Sequence, residues 1–274
     1  MMDLFTATLD LARYAQGLET HKITAVDNPH RKFSCSDLNA RMGEYTNGGT
    51  CWFTRGELTG QFGSIVGGAN QTIQLLDTYD KEYAVGDEVM LSWFHYFNTQ
   101  NLINAINHVL YDYPIMKIYD EPEEKFGGTY THRGLEYELP DEVTTDIRRV
   151  EIQDKRFPPN DESYSICHYW HLNDRILIID PHWAYREHGK IRLHYVEEHG
   201  PVSREEPVIS DQVDKTYLRK MANLWLWAHE IQMKHKDNPI AVDMYNNARM
   251  DEESLLKKNI PTSRLMAKDI CYFW

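Results

Sequence analysis

The stretch "GKIRLHYVEEHGPVSREEPVISDQVDKTYLRKMANLWLWAHEIQ", residues 189–232, changes character halfway along. It opens as a strand, passes through a polar loop and becomes one long helix rich in apolar residues. His194, His199 and the acidic Glu197, Glu198, Glu205 and Glu206 lie in its first part, where a reaction site would be sought. Trp225, Trp227, Leu224 and Leu226 crowd the helix with more apolar surface than one buried face requires. At about 100° per residue, Val213, Tyr217, Leu218, Met221, Leu224, Trp225, Ala228 and Ile231 form one broad apolar stripe, which the periodicity assigns to a core. Nearly opposite lies a narrower stripe of Ala222, Leu226, His229 and Met233. A helix with two apolar faces is either central to its own bundle or shared with another chain. His229 suits a dry core poorly, so these four residues are expected at a subunit or partner interface. On that reading Leu226→Glu leaves the monomer folded and disturbs assembly.

Working outward, the same helical period recurs twice upstream. Leu4, Phe5, Thr8, Leu11, Ala12 and Ala15 mark a helix from Asp3 to about Gly17. "FNTQNLINAINHVLYDYP" offers Asn98 or Thr99 as N-cap and a stripe of Leu102, Ile103, Ile106, Val109 and Leu110, with Pro114 as a stop. Between these helices, short strands such as "GTCWFTRG" and "DEVMLSWFHYF" alternate with glycine turns, the pattern of a small barrel or sandwich. A second β-rich stretch includes "IRRVEIQ", "KIRLHYVEE" and the run "SYSICHYWHLNDRILIID", in which Asn173-Asp174 reads as a hairpin turn. Asp211 or Asp214 caps the long helix, and Asn238-Pro239 starts a further one to about Asn259. The expected fold class is therefore α+β. A helical bundle of N-terminal, middle and C-terminal helices carries two β-rich insertions, barrel- or sandwich-like. The expected boundaries are 1–18 for the first bundle helix, 19–96 for the first β region and 97–114 for the second helix. Residues 115–200 form the second β region and 201–274 the C-terminal helices and tail.

Composition narrows the classes of function. The 274 residues are 42% hydrophobic and 26% charged, which is globular rather than disordered composition. No apolar run approaches the roughly 18 residues that a membrane span needs. The start, "MMDLFTATLDLARYAQ", lacks a basic segment and is broken by Asp3, Asp10 and Arg13, so it is not read as a signal peptide. Cys35, Cys51, Cys167 and Cys271 form no CxxC pair and are expected to be four reduced thiols in a chain made in a cytoplasm. The net charge of -13 argues against tight binding to a phosphate backbone, though not against a surface that nucleic acid slides past.

The residue types suited to chemistry form no reacting constellation. His168 and His171, three apart on one expected strand, point to opposite faces and cannot share a metal ion without a bulge. His182, His188, His194 and His199 lie at no zinc-ligand spacing. No GxSxG, P-loop or dinucleotide-binding glycine pattern is present, and "FSCSDL" around Cys35 lacks a cysteine-protease context. No catalytic residue, cofactor site or metal site is expected, and the chain is read as a non-enzyme. Trp52, Trp93, Trp170 and Trp183 leave one alternative, a carbohydrate-binding β-sandwich protein whose tryptophans stack sugars. A metal-dependent hydrolase using the histidines is the other.

The layout also resembles the head-to-tail connector or neck adaptor proteins of tailed bacteriophages. "GGTCWFTRGELTGQFGSIVGGANQTIQLLDTYDKEYAVGDEVML" is similar to their series of a Gly-Gly-initiated strand, a glycine turn, a strand and a "GD" strand. "FNTQNLINAINHVL" resembles the helix that follows, with Leu102, Ala105, Ile106, Asn107 and Leu110 in matching places. The section from Arg149 through Tyr195, Ser203 and Ile209–Asp211 into the long helix resembles their closing part. The chain departs from small connectors in having two sizeable β regions and a tail after Asn259. The resemblance implies a virion structural protein of the head–tail junction. It also implies a homo-oligomeric ring, commonly twelve-fold, that contacts the portal and neighbouring neck or tail proteins and that DNA traverses during ejection without specific binding. A tail or baseplate component is the nearest alternative.

Overall fold

A computed structural model of the chain describes residues 2–38, 48–69, 71–92, 97–111, 113–121, 129–154, 164–179, 188–233 and 238–258. The chain divides into two compact units, Met1–Tyr113 with Gly200–Ile260, and Pro114–His199 with Pro261–Trp274. The elements of the first part are β1 (Met2–Asp3), α1 (Leu4–Ala15), β2 (Leu18–Lys22), β3 (Ala25–Asn28), β4 (Lys32–Ser34), β5 (Thr50–Arg55), β6 (Phe62–Ala69), β7 (Thr72–Leu75), β8 (Glu88–Ser92) and α2 (Thr99–Tyr111). There follow β9 (Pro114–Asp120), β10 (Thr129–Thr131), β11 (Gly134–Glu138), β12 (Ile147–Asp154), β13 (Tyr164–Cys167), β14 (Trp170–Asn173), β15 (Ile176–Ile179) and β16 (His188–Glu198). The chain then returns to the first unit through β17 (Val208–Ile209), α3 (Lys215–Met233) and α4 (Pro239–Lys258).

In the first unit, seven antiparallel strands run in the order β2-β8-β5-β6-β7-β4-β3. The two edge strands, β2 and β3, are consecutive in the chain, with only Ile23 and Thr24 between them. The sheet therefore curls back on itself around a buried core that includes Ile23, Phe33, Cys51, Phe53, Ile65, Ile73, Val89 and Leu91. Alternation along β5 sends Cys51 and Phe53 into that core and Trp52 to the other side of the strand. Trp52 is fully buried, and its Nε1 donates to Thr8 Oγ1 on α1 at 3.1 Å. The first turn of α2 is held to the sheet by hydroxyls, with Thr99 Oγ1 2.8 Å from Thr50 Oγ1 and 2.9 Å from Ser64 Oγ.

The expected helical bundle with two β insertions is not the architecture. Among the described residues strand accounts for about 40% and outweighs helix, and antiparallel sheets carry the two large cores. The physical reason lies in what covers the helices. The stripe of α1, with Leu4, Ala7, Thr8, Leu11, Ala12 and Ala15 buried, is closed partly by Trp52 from the sheet, and α2 is anchored to it by Thr50 and Ser64. A bundle core would have closed these stripes with helices alone.

The caps follow local chemistry. Asp3 Oδ1 accepts from Thr6 N at 2.8 Å, and Asn98 and Asn101 cap each other's backbone N–H at 2.8 and 3.1 Å. Asp214 Oδ1 accepts from Tyr217 N at 2.6 Å, and Asn238 Oδ1 from Ile240 N at 3.0 Å, so α3 and α4 start where a side-chain acceptor precedes the first turn.

The second unit is a sandwich of two four-stranded sheets, β10-β11-β15-β14 and β13-β12-β16-β9. Leu135, Tyr137, Leu177 and Ile179 from one sheet meet Val150, Ile152, Ile191 and Leu193 from the other in a single core. The run read as one strand from Ser163 onward divides: β13 and β14 belong to different sheets, and His168 and Tyr169 carry the chain across. The hairpin at Asn173-Asp174 has Asp174 at φ +58°, a left-handed conformation that Asp tolerates better than most residues.

One contact network ties three helices of the first unit together. The Tyr14 hydroxyl of α1 donates to Asp251 of α4, whose other oxygen lies 3.2 Å from Lys220 Nζ of α3. Arg219 stacks over the Tyr14 ring at 4.9 Å. Burial, reinforced by the bond to Asp251, pushes the Tyr14 hydroxyl up to about 12. Its folded value therefore exceeds the ordinary phenol value near 10. The contribution is fully present below pH ~10 and is lost as pH rises toward 12. A half-exposed group of this kind contributes less than ~1 kcal/mol. Alkaline titration of the melting temperature should show this small decline in the wild type and lose it in Tyr14→Phe. An unchanged alkaline branch in the variant would assign the decline to other groups.

Candidate interaction surface

The site is built by the neighbouring helices α2 and α3 of the first unit. Two clamps fix their relation. Asn107 on α2 exchanges both of its side-chain hydrogen bonds with Val202, donating Nδ2 to the carbonyl at 3.0 Å and accepting from the amide at 2.8 Å. Tyr113, buried just past the end of α2, donates its hydroxyl to the Gln212 carbonyl at 3.0 Å and packs its ring on Tyr217 at 5.6 Å. The chain entering α3 is thereby held beside α2.

The structure reverses the two faces that periodicity assigns to α3. Ala222 and Leu226, expected at an interface, are 0% and 2% exposed and pack inside the unit together with Leu218 and Trp227. The Trp227 ring meets Phe97 edge-on at 4.9 Å. His229, third of the four expected interface residues, is exposed, and the Met233 side chain lies outside the described residues. Of the broad stripe expected in the core, Val213 and Leu218 are buried, whereas Tyr217, Met221, Leu224, Trp225 and Ala228 are only partly covered. Those five residues, with His108 and Val109 of α2, line an open groove of about 260 Å³.

Trp225 is the centre of this groove. Its indole contacts two imidazoles: His229, one turn on, stacks parallel to it at 5.0 Å, and His108 of α2 lies tilted at 5.5 Å. Trp, Tyr, Met and Leu side chains that are half-covered in a rigid groove have the composition of a protein-binding hot spot. Local charge differs from that of the whole chain. α3 carries Lys215, Arg219 and Lys220 against Glu230, and α2 carries no Asp, Glu, Lys or Arg, in a chain of net charge -13. The groove lining itself is apolar and aromatic with one imidazole, His108, and holds no Asp, Glu, Lys or Arg; Arg219 and Lys220 are engaged by Tyr14 and Asp251.

The other sequence candidates separate clearly. Trp52 is sealed in the interior, so it offers no sugar-stacking face. Trp170 packs, half-buried, against the sandwich core, and Trp93 and Trp183 lie outside the described residues. His168 and His171 are exposed, and His182 lies outside the described residues. No group of three or more His, Cys, Asp or Glu side chains that could hold a metal ion occurs among the described residues. Cys35, Cys51 and Cys167 are buried free thiols, and Cys271 lies outside the described residues. Burial pushes the Cys35 thiol up to about 12 and holds Cys51 well above the ordinary thiol value, which keeps both unreactive.

Sequence reasoning missed one charged cluster. On the outer face of the sandwich sheet, Glu151 of β12 is surrounded by Arg149, Arg192 and His194, the last with Nε2 3.2 Å from its carboxylate. Cross-strand register places Arg149 opposite His194 and Glu151 opposite Arg192, a pairing that only the strand alignment reveals. The molecule is thus a sheet-built, two-unit protein with an open aromatic groove between two helices of its first unit. No protein-family model matches the chain, and no curated protein sequence matches it. No helix among the described residues is long and apolar enough to cross a membrane.

Proposed function

We propose that the chain is a structural subunit of the head–tail junction of a tailed bacteriophage, a neck or connector component without enzymatic activity. It would form a homo-oligomeric ring against the portal and neighbouring neck or tail proteins. The observation that carries this reading is the half-covered aromatic groove around Trp225, since a folded chain gains nothing from leaving Trp, Leu, Met and Tyr side chains open to water unless another protein covers them. Two further features support it. The order of strands and helices resembles that of connector proteins, and a net charge of -13 suits a channel wall to which DNA does not adhere.

Electron microscopy of the purified chain, alone and mixed with a candidate portal ring, tests the reading. Rings with a central opening, or stoichiometric capture on the portal, are expected. Binding to duplex DNA should be undetectable at physiological salt, because basic residues diluted among 42 acidic ones release few counterions. A monomer that neither forms rings nor joins the portal overturns the proposal.

A further inference from the structure

We draw no further inference here: the strongest candidate, the open α2–α3 groove around Trp225 in the first unit, is an apolar face lined by no Asp, Glu, Lys or Arg, and nothing in the structure shows what covers it.

Discussion

Leu226→Glu should unfold the first unit rather than alter assembly. Leu226 is 2% exposed, one turn from fully buried Ala222 and beside Trp227, whose ring contacts Phe97. Removing a buried leucine side chain sacrifices about 2 kcal/mol of hydrophobic burial. The carboxylate that replaces it enters a packing of Ala222, Trp227 and other buried apolar side chains, and must either be desolvated or tear the helix away from its neighbours. Together these terms are on the order of 5 kcal/mol, a large part of the roughly 5–15 kcal/mol by which domains are stable. At about 2–4 °C per kcal/mol for a chain of this size, the melting temperature should fall by roughly 10–20 °C, or the variant should be recovered unfolded. Leu226→Ala, a cavity without a charge, should cost about 3 kcal/mol. The same charge at Trp225, on the groove face, should cost less than at Leu226, because the side chain there is only partly covered and a carboxylate can reach water. Thermal melts of the three variants decide the matter. A native melt for Leu226→Glu, with changed assembly, would restore the face to an interface.

That reversal shows where sequence reading stops. The apolar spacing of α3 correctly reports two apolar faces, but hydrophobicity has no sign that distinguishes a chain's own core from surface awaiting a partner. Composition held the better clue. The buried face pairs small Ala222 with Leu226, whereas the open face collects Met221, Trp225 and Tyr217, the residue types of binding surfaces. The helix starts at Asn98, Asp214 and Asn238 were legible, each as a start or as one of two neighbouring candidates, because a cap is made within four residues of itself. The architecture was not. Whether the stripe of α1 is closed by another helix or by Trp52 depends on which strand of a curled sheet passes beneath it, and Trp52 lies 44 residues from Thr8. The switch between β13 and β14 was hidden for a related reason. His168 and Tyr169 interrupt the apolar pattern too briefly to mark the place where the chain crosses from one sheet to the other.

Glu151→Ala should loosen the second unit selectively. The carboxylate is 7% exposed, although it stands on the outer face of its sheet, opposite the core residues Val150 and Ile152. Alternation alone would put it in water; what covers it are the side chains it binds. Arg149 contacts one oxygen, while His194 Nε2 lies 3.2 Å and Arg192 Nη1 3.8 Å from the other. Arg192 is fixed further by Asp120 at 2.5 Å and by the Tyr164 ring at 4.1 Å. Its side chain is 18% exposed, so it cannot swing freely to solvent when its anion is removed. Arg149, at 37%, is better placed to do so, which limits the loss. Deleting one partner of a buried ion pair leaves the other charge uncompensated and costs about 3 kcal/mol at the lower end of what such losses show. Hydrogen exchange should therefore rise by roughly two decades in peptides from β12 and β16, whose amides open with the unit, while peptides from α1 keep their protection. Glu151→Met combined with Arg192→Met should recover much of the loss, because a buried pair exchanged for apolar side chains of similar volume is often neutral. If Glu151→Ala changes exchange by less than about threefold, or if the double variant is the less stable, the cluster is a solvated surface network and contributes nothing to holding β12 and β16 together.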